Sequence, residues 1–252
     1  MNCKLCLKVK PLIKKSHIIP NFMYKGLFGK THKLVNVNLS NFSDREYRQT
    51  GFFDKNILCA QCDNEIIGKL ERYASNTIYA DKLQYAVIKE QFDGDGIAMP
   101  YIRYQNLDYT KVKLFLLSLL WRAHISKESF FREVNLSREL AEKIRKMIYN
   151  EDGGLEDELE VILFLVDAGK IRPTKSIIEP RFIAGEGACY IFHINEIMYH
   201  FNIATENKQA FFDKGIIKRD GIMDIAILTE DDRDYFDSFI GKPLLLKRNP
   251  KI

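Results

Sequence analysis

The sequence predicts an α+β protein: a cysteine-stapled N-terminal module, a helical region after it, and a small C-terminal antiparallel sheet. Three observations lead there. Two C-x-x-C pairs, Cys3-Lys4-Leu5-Cys6 and Cys59-Ala60-Gln61-Cys62, take four of the five cysteines. Residues 111–125 are the most apolar stretch of helical length, with Leu114 to Leu117 and Leu119 to Trp121 inside it. From Ile177 onward, short runs of β-branched and aromatic residues are separated by turn residues.

In chain order, the first cysteine pair forms a knuckle, and Pro11 prevents a long helix in the basic linker behind it. Residues 12–19 suit a short strand that Pro20 ends. Residues 21–42 read as a short helix or turn and then a strand, with Gly26 and Gly29 as breaks. Residues 43–51 are polar and close at Gly51, and 52–58 lead into the second pair as a strand or tight turn. The spacing of Ile66, Ile67, Leu70, Tyr73, Ala74 and Ile78 predicts a helix over 62–83. Asp63 and Glu65 complement the dipole in its first turn. Residues 84–105 are extended, with Asp93-Gly94-Asp95-Gly96 as a hairpin turn.

The 111–125 helix is apolar on nearly all sides, which predicts a central buried position. One or two amphipathic helices follow over 127–149, with Ser137 as an N-cap, and Gly153-Gly154 ends that block. A further helix is predicted over 156–168, stopped by Gly169. Strands come next at 177–178, 190–194, 197–203 and 222–228, with Asn195-Glu196 as a hairpin turn. These elements divide the chain into a module at 1–83 and an α+β region at 84–252. The second has helices at about 108–168 and a sheet at about 177–230.

The net charge of +4 hides an asymmetry. Residues 1–75 hold 13 Lys or Arg against 6 Asp or Glu, and the remainder holds 25 against 28. A basic segment that also carries the cysteine pairs points to a polyanionic partner, most simply nucleic acid. Lys10, Lys14, Lys15, Lys25, Lys33, Arg45 and Arg48 are the candidate phosphate contacts. No apolar run reaches the roughly 18 residues that span a bilayer. Residues 1–15 carry five lysines without the apolar core of a signal peptide. No membrane partner and a cytoplasmic location are therefore expected, and metal-held thiolates suit a reducing compartment.

Two C-x-x-C pairs close a tetrahedral four-thiolate site of the kind zinc favours. A thioredoxin-like redox dithiol would need a βαβ context that residues 1–20 do not supply. Between the pairs lies Ser16-His17-Ile18-Ile19-Pro20, and Asp63 follows the second pair directly. An imidazole at the end of a strand in a basic segment suits a general base acting on water at a phosphodiester. Charge builds on the phosphoryl oxygens in that reaction, and a divalent cation offsets it. Asp63 is the carboxylate best placed to hold such a cation. His32, His124, His193 and His200 have no ligand spacing to one another, and Cys189 reads as a small buried apolar residue.

The order C-x-x-C, Ser-His-Ile-Ile-Pro, C-x-x-C and a polar residue resembles the HNH endonucleases, the ββα-metal fold with an added structural zinc. The resemblance covers about residues 1–80. It implies that His17 is the general base, that Asp63 is a ligand of a catalytic Mg²⁺ or Mn²⁺ ion (Zn²⁺ being a further option), and that Cys3, Cys6, Cys59 and Cys62 hold structural zinc. An asparagine a few residues before the last cysteine pair orients the base in such enzymes; Asn56 and Asp54 both lie in that window. Two positions depart from the family pattern. The residue before the base is Ser16 rather than an acidic ligand, and the last ligand is Asp63 rather than His or Asn. The chain also resembles a group of bacterial proteins with a Lys-Ser-His-Ile-Ile-Pro stretch and a Glu-x-Tyr pair in the next helix, matched here by Glu71 and Tyr73.

The resemblance implies a metal-dependent endonuclease acting on DNA more than RNA, and an effector role in bacterial defence against phage. Residues 84–252 would then supply target recognition, homodimerisation or a surface for a partner protein. The competing expectation is a catalytically inactive zinc module that binds nucleic acid or protein, with Ser16 marking loss of the catalytic metal.

Overall fold

The computed structural model describes residues 1–28, 34–38, 41–80, 86–92, 98–166, 176–185, 187–203 and 215–228. The hairpin turn expected at 93–96, Leu83, Lys33 and Gly169 lie outside them. The architecture is α+β, with a seven-stranded mixed sheet, two small two-stranded sheets and three α-helices among the described residues.

The first small sheet pairs β1 (Ser16–His17) with β4 (Phe53–Asp54), and the second pairs β2 (Leu34–Asn38) with β3 (Asn41–Arg48). The polar 43–51 stretch is therefore mostly strand. A 3₁₀ turn at Asn21–Tyr24 follows Pro20, as the sequence indicates. The helix predicted over 62–83 opens as a π-helical segment, Cys62–Ile67, and continues as α1 (Gly68–Asn76). It stops early because Thr77 leaves helical geometry, its Oγ1 donating to the Tyr73 carbonyl at 2.8 Å.

Helix α2 (Tyr109–Ile125) begins at Asp108, whose carboxylate accepts from the Lys111 backbone at 3.0 Å. Every residue from Val112 to Ala123 is buried, as an all-round apolar helix requires. Helices α1 and α3 (Arg138–Asn150) pack on it, and β7 (Val161–Val166) touches it from the sheet. Ser137 caps α3 by accepting from the Leu140 backbone at 3.2 Å.

The helix expected over 156–168 is not formed; its described part contains β7 instead. The six residues Val-Ile-Leu-Phe-Leu-Val suit either state by hydrophobicity alone. The fold decides, because Val161 and Leu163 join the main core while Ile162 and Phe164 face a second cluster with Met198, Ile191 and Leu228. A strand buried on both faces reads as an unbroken apolar run.

The large sheet runs β5 (Ala86–Phe92), β6 (Ala98–Tyr104), β11 (Met223–Leu228), β7, β10 (Ile197–Asn202), β9 (Cys189–Asn195) and β8 (Ser176–Ile183). The small antiparallel C-terminal sheet of the sequence reading is thus larger and mixed. It recruits strands from 86–104 and 161–166, and β11 runs parallel to β7 while pairing antiparallel with β6. Arg103 grips Asp224 with a two-pronged hydrogen bond, Nε to Oδ1 at 2.7 Å and Nη2 to Oδ2 at 2.6 Å, fixing β11 against β6. The main core is continuous from Cys3 to Ile225. Tyr79 and Tyr199 hydroxyls meet at 2.5 Å between the N-terminal module and the sheet.

Buried His200 on β10 packs against the Phe164 ring, and burial holds its pKa down at about 4. In the unfolded chain it titrates near the ordinary histidine value of 6.5. The unfolded chain therefore binds more protons in that interval, and stability falls as pH drops from about 6.5 through about 4. A difference of this size is worth about 3 kcal/mol. His200→Leu should remove most of that loss, read as a smaller fall in melting temperature between pH 7 and pH 4.

Candidate metal centre and the His17–Asp63 site

The cysteine hooks are placed by short-range pairing. Leu12 bridges to Cys59, the Ile13 amide donates to the Leu58 carbonyl at 2.9 Å, and the Lys4 amide donates to the Ile57 carbonyl at 2.9 Å. These contacts lay the first hook beside the second. The Sγ atoms of Cys3, Cys6, Cys59 and Cys62 all lie within 4.8 Å of one another. Sulfurs around a tetrahedral zinc with Zn–S near 2.3 Å stand about 3.8 Å apart, so the four could hold such an ion with small adjustments. The Cys59 amide donates to Cys3 Sγ at 3.3 Å, a contact that favours a thiolate. Burial, followed by the adjacent Cys59 and Cys3 sulfurs, pushes the Cys62 thiol well above its ordinary range. Four clustered thiolates accordingly need a cation among them. A closed four-sulfur set is the pattern of a structural site.

Asp63 begins one residue past this centre. Its backbone carbonyl accepts from Gly68 across the π-helical turn, a wide turn often found beside functional groups. Its carboxylate Oδ1 accepts from Ser16 Oγ at 2.5 Å, across 47 residues of sequence. Ser16 is fully buried, so this hydroxyl serves as a fixed donor that aims the carboxylate. Burial raises the Asp63 pKa, while the Ser16 bond and the Arg122 charge oppose the rise.

His17 follows Ser16 on β1 and is half-buried. Burial lowers its pKa, Lys15 adds to the lowering, and Glu71 and Asp63 oppose it. A neutral imidazole at pH 7 is the state a general base requires. Nε2 is enclosed and makes no hydrogen bond. The His17 carbonyl accepts from Arg122 Nη1 at 2.8 Å, and the same nitrogen donates to Glu71 Oε1 at 2.6 Å. Arg122 is 1% exposed and comes from α2, outside the cysteine module.

The other candidate residues are scattered. Asn56 is exposed on a turn at φ 59°, its amide donating to the Ile13 carbonyl at 3.0 Å. Asp54 lies opposite Ser16 in the β1–β4 register but accepts from Ser126 Oγ at 2.6 Å and from the Lys127 amide at 2.9 Å. Neither side chain hydrogen-bonds to the His17 ring. Lys14, Lys15 and Lys25 are exposed, with the Lys15 ammonium 4.6 Å above the Phe53 ring. Lys10 bonds to Gln61 Oε1 at 2.8 Å. Arg48 pairs with Glu128 at 2.6 Å and lies over the Phe52 ring. Arg45 is on β3, its side chain outside the described set.

Among the described residues, the four cysteines are the one group of three or more His, Cys, Asp or Glu side chains close enough to hold a metal. His17, Asp63 and Glu71 do not form a second. Arg122 and Ser16 are the contributors that sequence reasoning undervalued. An arginine inside the most apolar helix is a usable signal, because such a charge is buried only with a partner.

No family model, curated protein or solved structure matches the chain. Among the described residues, no helix is long and apolar enough to cross a membrane.

Proposed function

We propose that the chain is a metal-dependent, HNH-like endonuclease hydrolysing DNA phosphodiester bonds, with its four cysteines on structural zinc. The observation that carries this reading is the Ser16–Asp63 hydrogen bond at 2.5 Å. It brings the residue after the second hook to the strand that bears His17, so a base and a cation ligand share one locality. The His17 imidazole takes a proton from water as the water oxygen attacks phosphorus. Asp63 Oδ2, the oxygen not engaged by Ser16, would hold Mg²⁺ or Mn²⁺, which would offset the charge that builds on the phosphoryl oxygens. A role in bacterial defence against phage goes with this reading.

A specific feature favours a second reading, a zinc module that binds nucleic acid or protein without cutting. Ser16 supplies a hydroxyl where an acidic ligand would be expected, and one Asp63 oxygen is spent on it. Supercoiled plasmid in Mg²⁺ or Mn²⁺ separates the two. The wild type should nick it, and His17→Ala should be slower by about 10²–10⁴-fold. If both proteins bind the plasmid and leave it closed, the non-cutting module is correct.

A further inference from the structure

The strand that bears His17 carries a second polar group on the same face. His17 and Phe53 are direct cross-strand partners in the β1–β4 ladder, so their side chains leave it on one side. Lys15, two residues before His17, lays its ammonium 4.6 Å from the centre of the Phe53 ring. The charge therefore stands on the side from which the imidazole projects, and it is the largest charge acting on His17. Lys15 is exposed, while His17 and Phe53 are half-buried, so a ligand can reach this face from the lysine end.

The commitments of the neighbouring groups single Lys15 out. Arg122, the other cation acting on His17, is 1% exposed and is spent on Glu71, the His17 carbonyl and Ser118. Asp63 is engaged by Ser16. Farther off, Lys10 is tied to Gln61 and Arg48 to Glu128. Lys15 pairs with no carboxylate among the described residues. A phenyl face at an exposed site fixes an ammonium in place but holds it lightly. A phosphate oxygen is the stronger partner, because both groups are then charged. We propose that Lys15 grips the phosphodiester presented to His17, its ammonium leaving the Phe53 ring to donate to a non-bridging phosphate oxygen. In the cutting reaction the same contact offsets the charge that builds on that oxygen. The inference rests on the nucleic-acid reading above and adds to it the residue that fixes the reacting group beside the base.

The test uses the full zinc-loaded chain in two assays. Nicking of supercoiled plasmid in Mn²⁺ gives kcat and KM. Anisotropy of a short fluorescein-labelled DNA duplex gives affinity against salt, with His17→Ala in every chain so that the probe stays intact. Lys15→Gln should lower kcat by about 10²-fold, the loss expected for one donor to a developing oxyanion. It should also reduce the slope of log affinity against log salt by about 1. Lys15→Arg keeps the charge and the ring contact, and should recover most of both losses. Lys8→Gln removes another exposed charge from the same basic segment and should leave kcat unchanged. Wild-type rate and affinity in Lys15→Gln overturn the grip. So does a Lys15→Arg chain as impaired as Lys15→Gln, or a Lys8→Gln chain that loses as much kcat, since position would then count for nothing. A clear fall in the melting temperature of Lys15→Gln overturns it as well, because Lys15 would then serve the fold. The two readings fail separately. Nicking by the wild type with Lys15-independent rate and affinity sinks the grip alone. A Lys15-dependent salt slope in a chain whose wild type never nicks sinks the nuclease alone, and a duplex that no chain binds sinks both.

Discussion

A Cys59→Ser chain, or the wild type stripped by a strong zinc chelator, is expected to lose the packed state of residues 1–80. Structural zinc contributes about 10–16 kcal/mol in isolated fingers, as much as the whole stability of an ordinary domain. Here the hooks are joined mainly by backbone bonds between 4–13 and 56–59 and by the sulfurs themselves. Without a cation, four thiolates, three of them on buried cysteines, converge with nothing to balance their charge. The loss should spread, since Cys3, Cys59 and Cys62 belong to the same core as α2 and β7. Metal analysis should give one zinc per chain for the wild type, and limited proteolysis should then cut the chelated protein first within 1–80. Equal melting temperatures for Cys59→Ser and wild type would refute the assignment.

Arg122→Met is expected to lower stability by about 1–3 kcal/mol, the cost of leaving enclosed acceptors unsatisfied, since Glu71 keeps 26% of its side chain exposed to water. Arg122 gives hydrogen bonds to the His17 carbonyl, Glu71 Oε1 and Ser118, so its loss strands several acceptors together. The double variant Glu71→Gln/Arg122→Met should recover part of the loss, because no half-buried carboxylate is then left unpaired. Urea midpoints of the four chains measure the coupling. If Arg122→Met and Glu71→Gln add without coupling, the pair is not the clamp described. The double variant should also nick plasmid more slowly than wild type even where it is fully folded, since the strand bearing His17 has lost its donor.

Much of the N-terminal arrangement was legible in the residues. Cysteine spacing identified the four sulfurs that meet, and the position of Asp63 after the second hook anticipated its meeting with the His17 strand. An unbroken apolar run located α2, helical spacing located α3, and Ser137 marked the start of α3. What stayed hidden depends on tertiary surroundings. The Val161–Val166 run has no helical or strand signature of its own, and burial on both sheet faces decides it. Sheet order was equally out of reach, because β11 pairs with strands more than 50 residues upstream. Ser16 looked like a weakened ligand in the sequence, while its bond to Asp63 gives it a different task.

The place of β11 has a consequence for biosynthesis. The strand made last among the described ones fills the gap between β6 and β7. Until residue 228 has left the ribosome, those two strands each present an open edge, and the sheet stays in two halves. A truncated product lacking residues 223–228 would therefore be a sticky, protease-sensitive fragment.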